Sequence, residues 1–405
     1  MEGVYLHDAR SFLGTATLTR ILSKTSPKRI YVLCRRGYEG ARERWTSLLP
    51  DSIAEALLCS PKITIVDGDI IAEKMSLSDE MWNTLEQTVN ITIHSASSIN
   101  LLSGLPKMSR SVIQPTLELA ECSLKFRNLE RFVYISTAYC NTHLWRLTEA
   151  ADVPGQATNT AFTISPFAYA YAKNLTERLI THKFNKHDIS NKLLIIRPSV
   201  IAPAIEFPYQ GFSSPASTPS TVLAASIVLY PGRHMVIVGR CQDPWKETTM
   251  DEVPIDVVVD RLLIHTAFAT SGCIHAVRGE NERFPFEAWW KPLMGERRIP
   301  WRVKPAWKEV DWHSSKLHPS ARIYKVLGAS FAFSQERTLE LGERLREKGR
   351  GDLRLFEPAG EVYSLTSRRD DIRQMAMAIV KRNKWPKCLV KLLCRKGNEE
   401  RYKSI

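Results

Sequence analysis

Short apolar runs alternate with longer amphipathic stretches along the first two hundred residues of this chain. Runs at 4–6, 29–34, 63–66, 91–95, 132–136 and 193–197 have the length and β-branched content of buried strands. Between them, 15–23, 41–49, 79–88, 112–122 and 169–183 carry apolar residues at helical spacing. Strands separated by helix-length crossovers predict an α/β fold, a doubly wound parallel Rossmann sheet. Past about residue 276 the pattern turns irregular, Trp-rich and basic, and becomes helical again near 334–347 and 369–381. A chain of 405 residues is long for one compact unit, so a larger domain over 1–275 and a smaller, mainly helical one over 276–405 are expected. The turn-rich stretch from Ser213 to Ser220 reads as a surface loop, placed to cover a substrate.

Composition narrows the class. The chain is 44% hydrophobic, which supports a large core, and carries a formal charge of +13, which suggests an anionic partner. No zinc finger or RNA-recognition signature accompanies that charge, so nucleic acid is not the expected partner. The eight cysteines show no C-x-x-C pairing and no companion histidine spacing, and read as reduced thiols rather than disulfides or metal ligands. The first residues lack a signal-peptide pattern. The longest apolar run, 222–230, falls well short of the roughly 20 residues of a spanning helix. A cytoplasmic protein is expected, soluble or peripheral on an internal membrane. Basic residues interleaved with Trp385 and leucines from Lys384 to Lys396 suit an anionic lipid interface, or an ordinary exposed terminal helix.

Tyr169 and Lys173 stand four residues apart on one predicted helix, which puts phenol and ammonium on one face. A lysine there favours the phenolate and tunes a proton donor; a packing aromatic beside a solvated lysine is the plain alternative. Ser136 and Thr137 end a predicted strand, where hydroxyls reach a ligand beyond the sheet's carboxyl edge or satisfy nearby backbone. After the first strand, the segment His7-Asp8-Ala9-Arg10-Ser11-Phe12-Leu13-Gly14 sits where a dinucleotide-binding turn belongs, yet of the three glycine positions only Gly14 is glycine. Asp8 places a carboxylate near a diphosphate, with Arg10 as its offset, or else acts as a helix N-cap. Arg35 and Arg36 end the second strand with no acidic residue for a ribose hydroxyl, which favours a 2′-phosphate and hence NADP, with solvated charge as the alternative. Asp69 follows the third strand, where a carboxylate can accept the adenine amino group or simply make a turn, and Ser95, Ala96 and Ser97 are small residues where backbone runs beside a cofactor or where the core packs.

Assembled in order, these segments resemble the extended short-chain dehydrogenase/reductases, and within them the fatty acyl-CoA reductase or male-sterility family. The resemblance runs over roughly the first 260 residues through 30–36, 41–44, Gly68-Asp69-Ile70, 93–97, 132–139, 169–173, Arg197-Pro198-Ser199-Val200, Gly211-Phe212 and 251–256. It continues more weakly through Phe331-Ala332-Phe333. It implies NADPH-dependent reduction of a long-chain acyl-CoA, or a carrier-bound acyl thioester, to aldehyde or primary alcohol. Ser136, Thr137 and Tyr169 would polarise the carbonyl, and Lys173 would hold the nicotinamide ribose. Asp8 to Gly14, with Phe12 and Leu13, would form the phosphate loop; Ile70 would lie at the adenine, and Pro198, Ser199 and Val200 near the nicotinamide. The chain departs from the family at Asp8, at Ser11 and around 109–115, where the family's asparagine and glycine are replaced. Two other readings follow from those departures and from a catalytic set that does not specify a thioester. One is a degenerate reductase that binds a lipid or a partner without turnover, and the other is a carbonyl oxidoreductase of specialised metabolism.

Overall fold

The computed structural model describes residues 3–96, 101, 103–146, 167–239, 242–279, 283–298, 301–309, 314, 330–347, 355–356 and 368–394. Seven strands, β1 (Gly3–His7), β2 (Arg29–Cys34), β3 (Ile63–Asp67), β4 (Ile91–His94), β5 (Arg131–Ile135), β6 (Leu193–Pro198) and β7 (Gly272–Ala276), form one sheet. Its order is β7-β6-β5-β4-β1-β2-β3, with every neighbouring pair parallel. This is the expected doubly wound sheet, with the order reversing between β1 and β4, where a ligand crevice forms at the carboxyl edge. β1 and β6 are buried along their whole length, as strands covered on both faces must be.

The six expected strands agree with the observed ones to within one residue at either end. β7 escaped the pattern because Gly-Cys-Ile-His-Ala is short, half-exposed and only one residue in two is apolar enough to signal. The helices are α1 (Phe12–Lys24), α2 (Gly37–Leu48), α3 (Asp51–Leu58), α4 (Asp79–Thr88), α5 (Gln114–Ser123) and α6 (Ala168–Lys186), followed by α7 (Pro219–Leu229), α8 (Ile255–Ala267), α9 (Phe286–Gly295), α10 (Glu336–Glu347), α11 (Arg369–Arg382) and α12 (Cys388–Leu393). α1 starts three residues before the expected 15 because Ser11 caps it: its hydroxyl accepts from Gly14 N at 3.0 Å. Asp8 is therefore not the cap. α5 is preceded by a π-helical turn, Ser109–Ile113, in the stretch where the family's asparagine and glycine are replaced.

Two apolar cores matter for the site. One lies between the sheet and the face covered by α1 and α8, where Ile255 to Thr266 are buried throughout. Another joins α7, the strand His234–Val238 and α9 to Val303, α11 and α12. Lys304–Lys308 pairs parallel to His234–Val238 there. Arg368 closes this region onto the sheet: its guanidinium meets Glu252 at 2.9 Å and Ser220 Oγ at 3.1 Å, all buried. No described helix is long and apolar enough to cross a membrane.

Candidate active site

The carboxyl ends of β1, β4, β5 and β6 converge on a cavity of about 250 Å³. Ser11, Phe12 and Leu13 enter it from the turn after β1, Ser95 from the end of β4, and Ser136 and Thr137 from the end of β5. Tyr169 and Lys173 come from the first turns of α6, and Pro198, Ser199 and Val200 from the end of β6. Residues far apart in sequence meet here because every parallel strand delivers its carboxyl end to the same edge.

The chemistry of this cluster follows from burial. Lys173 is buried and donates to Ile135 O at 2.6 Å, with its ammonium 4.7 Å from the Tyr134 ring centre and 5.9 Å from that of Tyr169. Desolvation pushes its pKa down to about 7, against the pull of Glu177 and Cys140. Burial also raises the Tyr169 phenol above its ordinary value. The expectation that Lys173 lowers the Tyr169 pKa is thus reversed: the cation turns to a backbone carbonyl, and desolvation decides for the neutral phenol. A phenol held protonated is still a donor. Among the described residues, Ser136 Oγ is buried in this wall with no hydrogen-bond partner, whereas Thr137 Oγ1 accepts from Tyr139 N at 3.3 Å.

The turn after β1 explains its own substitutions. Asp8 adopts φ +73°, the left-handed conformation that glycine takes most easily and that aspartate tolerates. A Cβ on Gly14 would lie 2.0 Å from Asp8 O, so this position admits only glycine. Desolvation raises the Asp8 pKa to about 6, opposed by Ser11 and by Arg10, Arg35 and Arg44. Arg10 donates to Arg35 O at 3.0 Å, and Arg44 donates to Arg10 O at 2.9 Å. Arg44 entered the sequence reading only within the resemblance over 41–44, with no role at this turn.

Beyond the cavity walls, Arg35 meets Asp69 at 3.0 Å, with both side chains more than a third exposed. Arg36 pairs with Glu43, and Asp69 Oδ1 also accepts from Ile71 N at 3.1 Å, which fixes the turn that holds Ile70. Ser95 Oγ donates to His7 O at 2.9 Å and so ties β4 to the turn; Ala96 follows it half-buried, and Ser97 lies outside the described residues. Beneath them His94 contacts His7 at 3.3 Å and Thr116 at 2.8 Å, and burial drives both imidazoles toward the neutral form.

Three supports were not assigned to the site from sequence, although the resemblance passed through Asp251 and Phe331. Glu177, one further helical turn from Lys173, pairs with Arg197 at 2.5 Å and locks α6 to the end of β6; its four-residue spacing was a usable signal. Asp251 accepts from Ser199 Oγ at 2.5 Å, Arg278 N at 2.9 Å and Gly279 N at 3.3 Å, which joins β6 to the segment after β7. Phe331 also lines the cavity, set edge-on to Tyr139 at 5.8 Å and stacked on Phe333 at 5.7 Å, so the segment after residue 330 reaches the site.

The chain is similar to several known proteins. Fatty acyl-CoA reductase 1 of Xenopus laevis is 23% identical over 288 residues, 65% of this chain and 54% of that protein. The chain spans about half the length of the curated relatives it matches. The reductase (R) domain of a nonribosomal peptide synthetase from Mycobacterium tuberculosis superposes with a TM-score of 0.64 at 16% identity, over 93% of this chain and 92% of that one. WbmH of Bordetella bronchiseptica, solved in complex with NAD+, superposes at 0.53 with 15% identity, over 95% and 99% of the two chains. At such identities the structural likeness carries the fold alone. The family description male sterility protein matches residues 9–262, from the turn after β1 through α8, and the chain belongs to this family, the fatty acyl-CoA reductases of the extended short-chain dehydrogenase/reductases.

Proposed function

We propose that this chain reduces long-chain fatty acyl-CoA, or a carrier-bound acyl thioester, with NADPH, releasing the aldehyde or carrying it to the primary alcohol. The observation that carries the reading is the meeting of Ser136, Thr137, Tyr169 and Lys173 with the first turn of α1 in one cavity. An unpartnered buried hydroxyl in a cavity wall, Ser136 Oγ, is a group prepared for a ligand. The residues also fit the cofactor. The N–H groups of Phe12 and Leu13, in the first turn of α1, suit a diphosphate, although Asp8 opposes it. Arg35 and Arg36 suit the 2′-phosphate, since the exposed pairs they now make with Asp69 and Glu43 stabilise little and are readily exchanged. Asp69 and Ile70 take the adenine side, Ser95, Ala96 and Ser97 the backbone along the cofactor, and Lys173 with Pro198, Ser199 and Val200 the nicotinamide side.

The bound nicotinamide supplies a hydride. Tyr169 would give its phenolic proton to the substrate carbonyl oxygen as the carbon is reduced, with Ser136 and Thr137 orienting that oxygen. Collapse of the hemithioacetal then breaks the C–S bond, its hydroxyl proton leaving with the coenzyme A or carrier thiol as the aldehyde forms. Lys173, with its pKa near 7, is poised to return a proton to the phenol. In this reading residues 1–275 hold cofactor and reacting groups, while 276–405 shape the acyl side through Phe331.

The test is NADPH oxidation by the purified chain with palmitoyl-CoA, with products identified. Tyr169→Phe is expected to lower turnover by about 10²–10⁴-fold while cofactor binding persists. Full activity in that variant contradicts the donor role. A second reading is favoured by Asp8, whose carboxylate disfavours a diphosphate: a reductase-shaped protein that binds a lipid or a partner without turnover. No calorimetric heat with NADPH, restored by Asp8→Gly, supports it. A thioester panel separates both from a carbonyl oxidoreductase. Peripheral contact with an internal membrane belongs to the same proposal: Trp385 and Leu392 are 48% and 62% exposed beside Lys384, Lys387 and Lys391. Vesicles containing anionic lipid should sediment the chain, and Trp385→Ser should release it.

A further inference from the structure

A second cavity, of about 1290 Å³, lies at the opposite edge of the sheet from the crevice. Ile91 and Arg131, the first residues of β4 and β5, and Lys192, which precedes β6, are in its wall. The crevice residues Ser95, Ser136 and Pro198 stand at the other ends of these strands. Four to six residues of β-strand, roughly 13–20 Å, therefore separate the two spaces.

Its interior is apolar. Ile21 from α1, Ile93 from β4, Ile264 and Phe268 from α8 and the residue after it, Leu345 from α10, and Phe356 form the walls. Its rim is cationic: Lys24, Arg131, Lys192 and Arg346 stand there against one carboxylate, Glu130. Among the described residues, Glu130 accepts from the Asn90 amide, and none of Arg131, Lys192 and Arg346 makes an ion pair. Arg131 donates to Asn191 O and Lys192 to Leu129 O, so both positive groups are held by neutral backbone at the mouth. Partial burial disfavours the charge on Arg131, nearby Glu130 offsets part of this, and an anion brought alongside would offset more.

We propose that this groove binds a single-chain anionic amphiphile, a long-chain carboxylate whose alkyl chain lies along the apolar walls and whose head meets Arg131, Lys192 and Arg346. The volume exceeds that of ordinary small-molecule sites, roughly 300–1,000 Å³. The chain contributes affinity by burial of its methylenes, and the cations select the charged head. The site is independent of the crevice and of whether the crevice turns over.

The experiment is displacement of a fluorescent fatty acid from the full chain by palmitate. Saturable displacement is expected, with hexadecanol at least 10-fold weaker. Lys192→Glu with Arg346→Glu should weaken palmitate at least 10-fold while the NADP+ titration stays unchanged. Lys192→Glu also loses the bond to Leu129 O, so the melt is recorded alongside, and Arg346→Glu alone, at an exposed side chain, should weaken palmitate with the melt unchanged. Three results overturn the proposal: no saturable binding of palmitate, equal affinity for hexadecanol with no effect of charge reversal, or palmitate binding that palmitoyl-CoA and NADP+ abolish together, which places it in the crevice.

Discussion

Replacing Asp8 with glycine is expected to tighten NADP+ binding, by an amount that grows with pH. Asp8 sits in the turn whose helix N-terminus faces the diphosphate position, and its carboxyl has a pKa near 6. At pH 7.5 it is ionised, and a like charge about 6 Å away in a medium of effective dielectric about 20 costs about 3 kcal/mol. Arg10, Arg35 and Arg44 offset part of that, which leaves a net penalty on the order of 1–2 kcal/mol, about 5- to 30-fold in affinity. Below pH 6 the carboxyl is neutral and the penalty vanishes. Calorimetric titration of wild type and Asp8→Gly at pH 5.5 and pH 7.5 reads it directly. The two proteins should converge at the lower pH, and the comparison cancels the cofactor's own titration. Equal affinities at pH 7.5, or weaker binding by the glycine variant, refute the electrostatic reasoning. The same shift carries a stability sign. A folded-state pKa raised above the ordinary 3.8 means that Asp8 destabilises the fold as pH rises from about 4 to about 6. Asp8→Asn should therefore raise Tm at pH 7.5 and leave it unchanged at pH 3.5.

Other outcomes follow from buried groups. Lys173, with its pKa lowered to about 7, binds a proton in the unfolded chain that the folded chain lacks between about pH 7 and 10.5, so its contribution to stability rises with pH through that window. Lys173→Met should stabilise the fold at pH 7 by on the order of 2–4 kcal/mol, read as a higher Tm, with a smaller gain at pH 10, and should abolish turnover; a lower Tm at pH 7 sinks this. Arg368→Ala leaves Glu252 charged and buried, and should cost about 3–5 kcal/mol in chemical denaturation, whereas Arg368→Met with Glu252→Leu should recover most of it. Gly14→Ala must displace the Asp8 carbonyl that its Cβ would approach to 2.0 Å, and should both lower Tm and weaken NADP+; an unaffected melt argues against that close approach.

The strands and crossovers were legible in the chain because a strand buried on both faces must be apolar along its length, and 29–34 or 193–197 announce themselves that way. The Tyr169, Lys173 pair was legible for a similar local reason, since helical spacing alone sets which side chains share a face. Gly14 belongs to the same local category, whereas the cap was assigned to Asp8 from sequence and falls to Ser11 in the fold. Which groups lie opposite that face was a tertiary matter. Lys173 turns to Ile135, 38 positions away, and Glu177 to Arg197, because parallel strands bring their carboxyl ends together whatever their separation in sequence. The sign of the Tyr169 shift also depended on the fold: proximity to a lysine is a sequence property, but desolvation depends on what closes over the phenol. Arg35, Asp69 and the cationic groove at the far edge of the sheet follow the same rule. Local periodicity determined the elements, and the sheet's topology decided which charges meet.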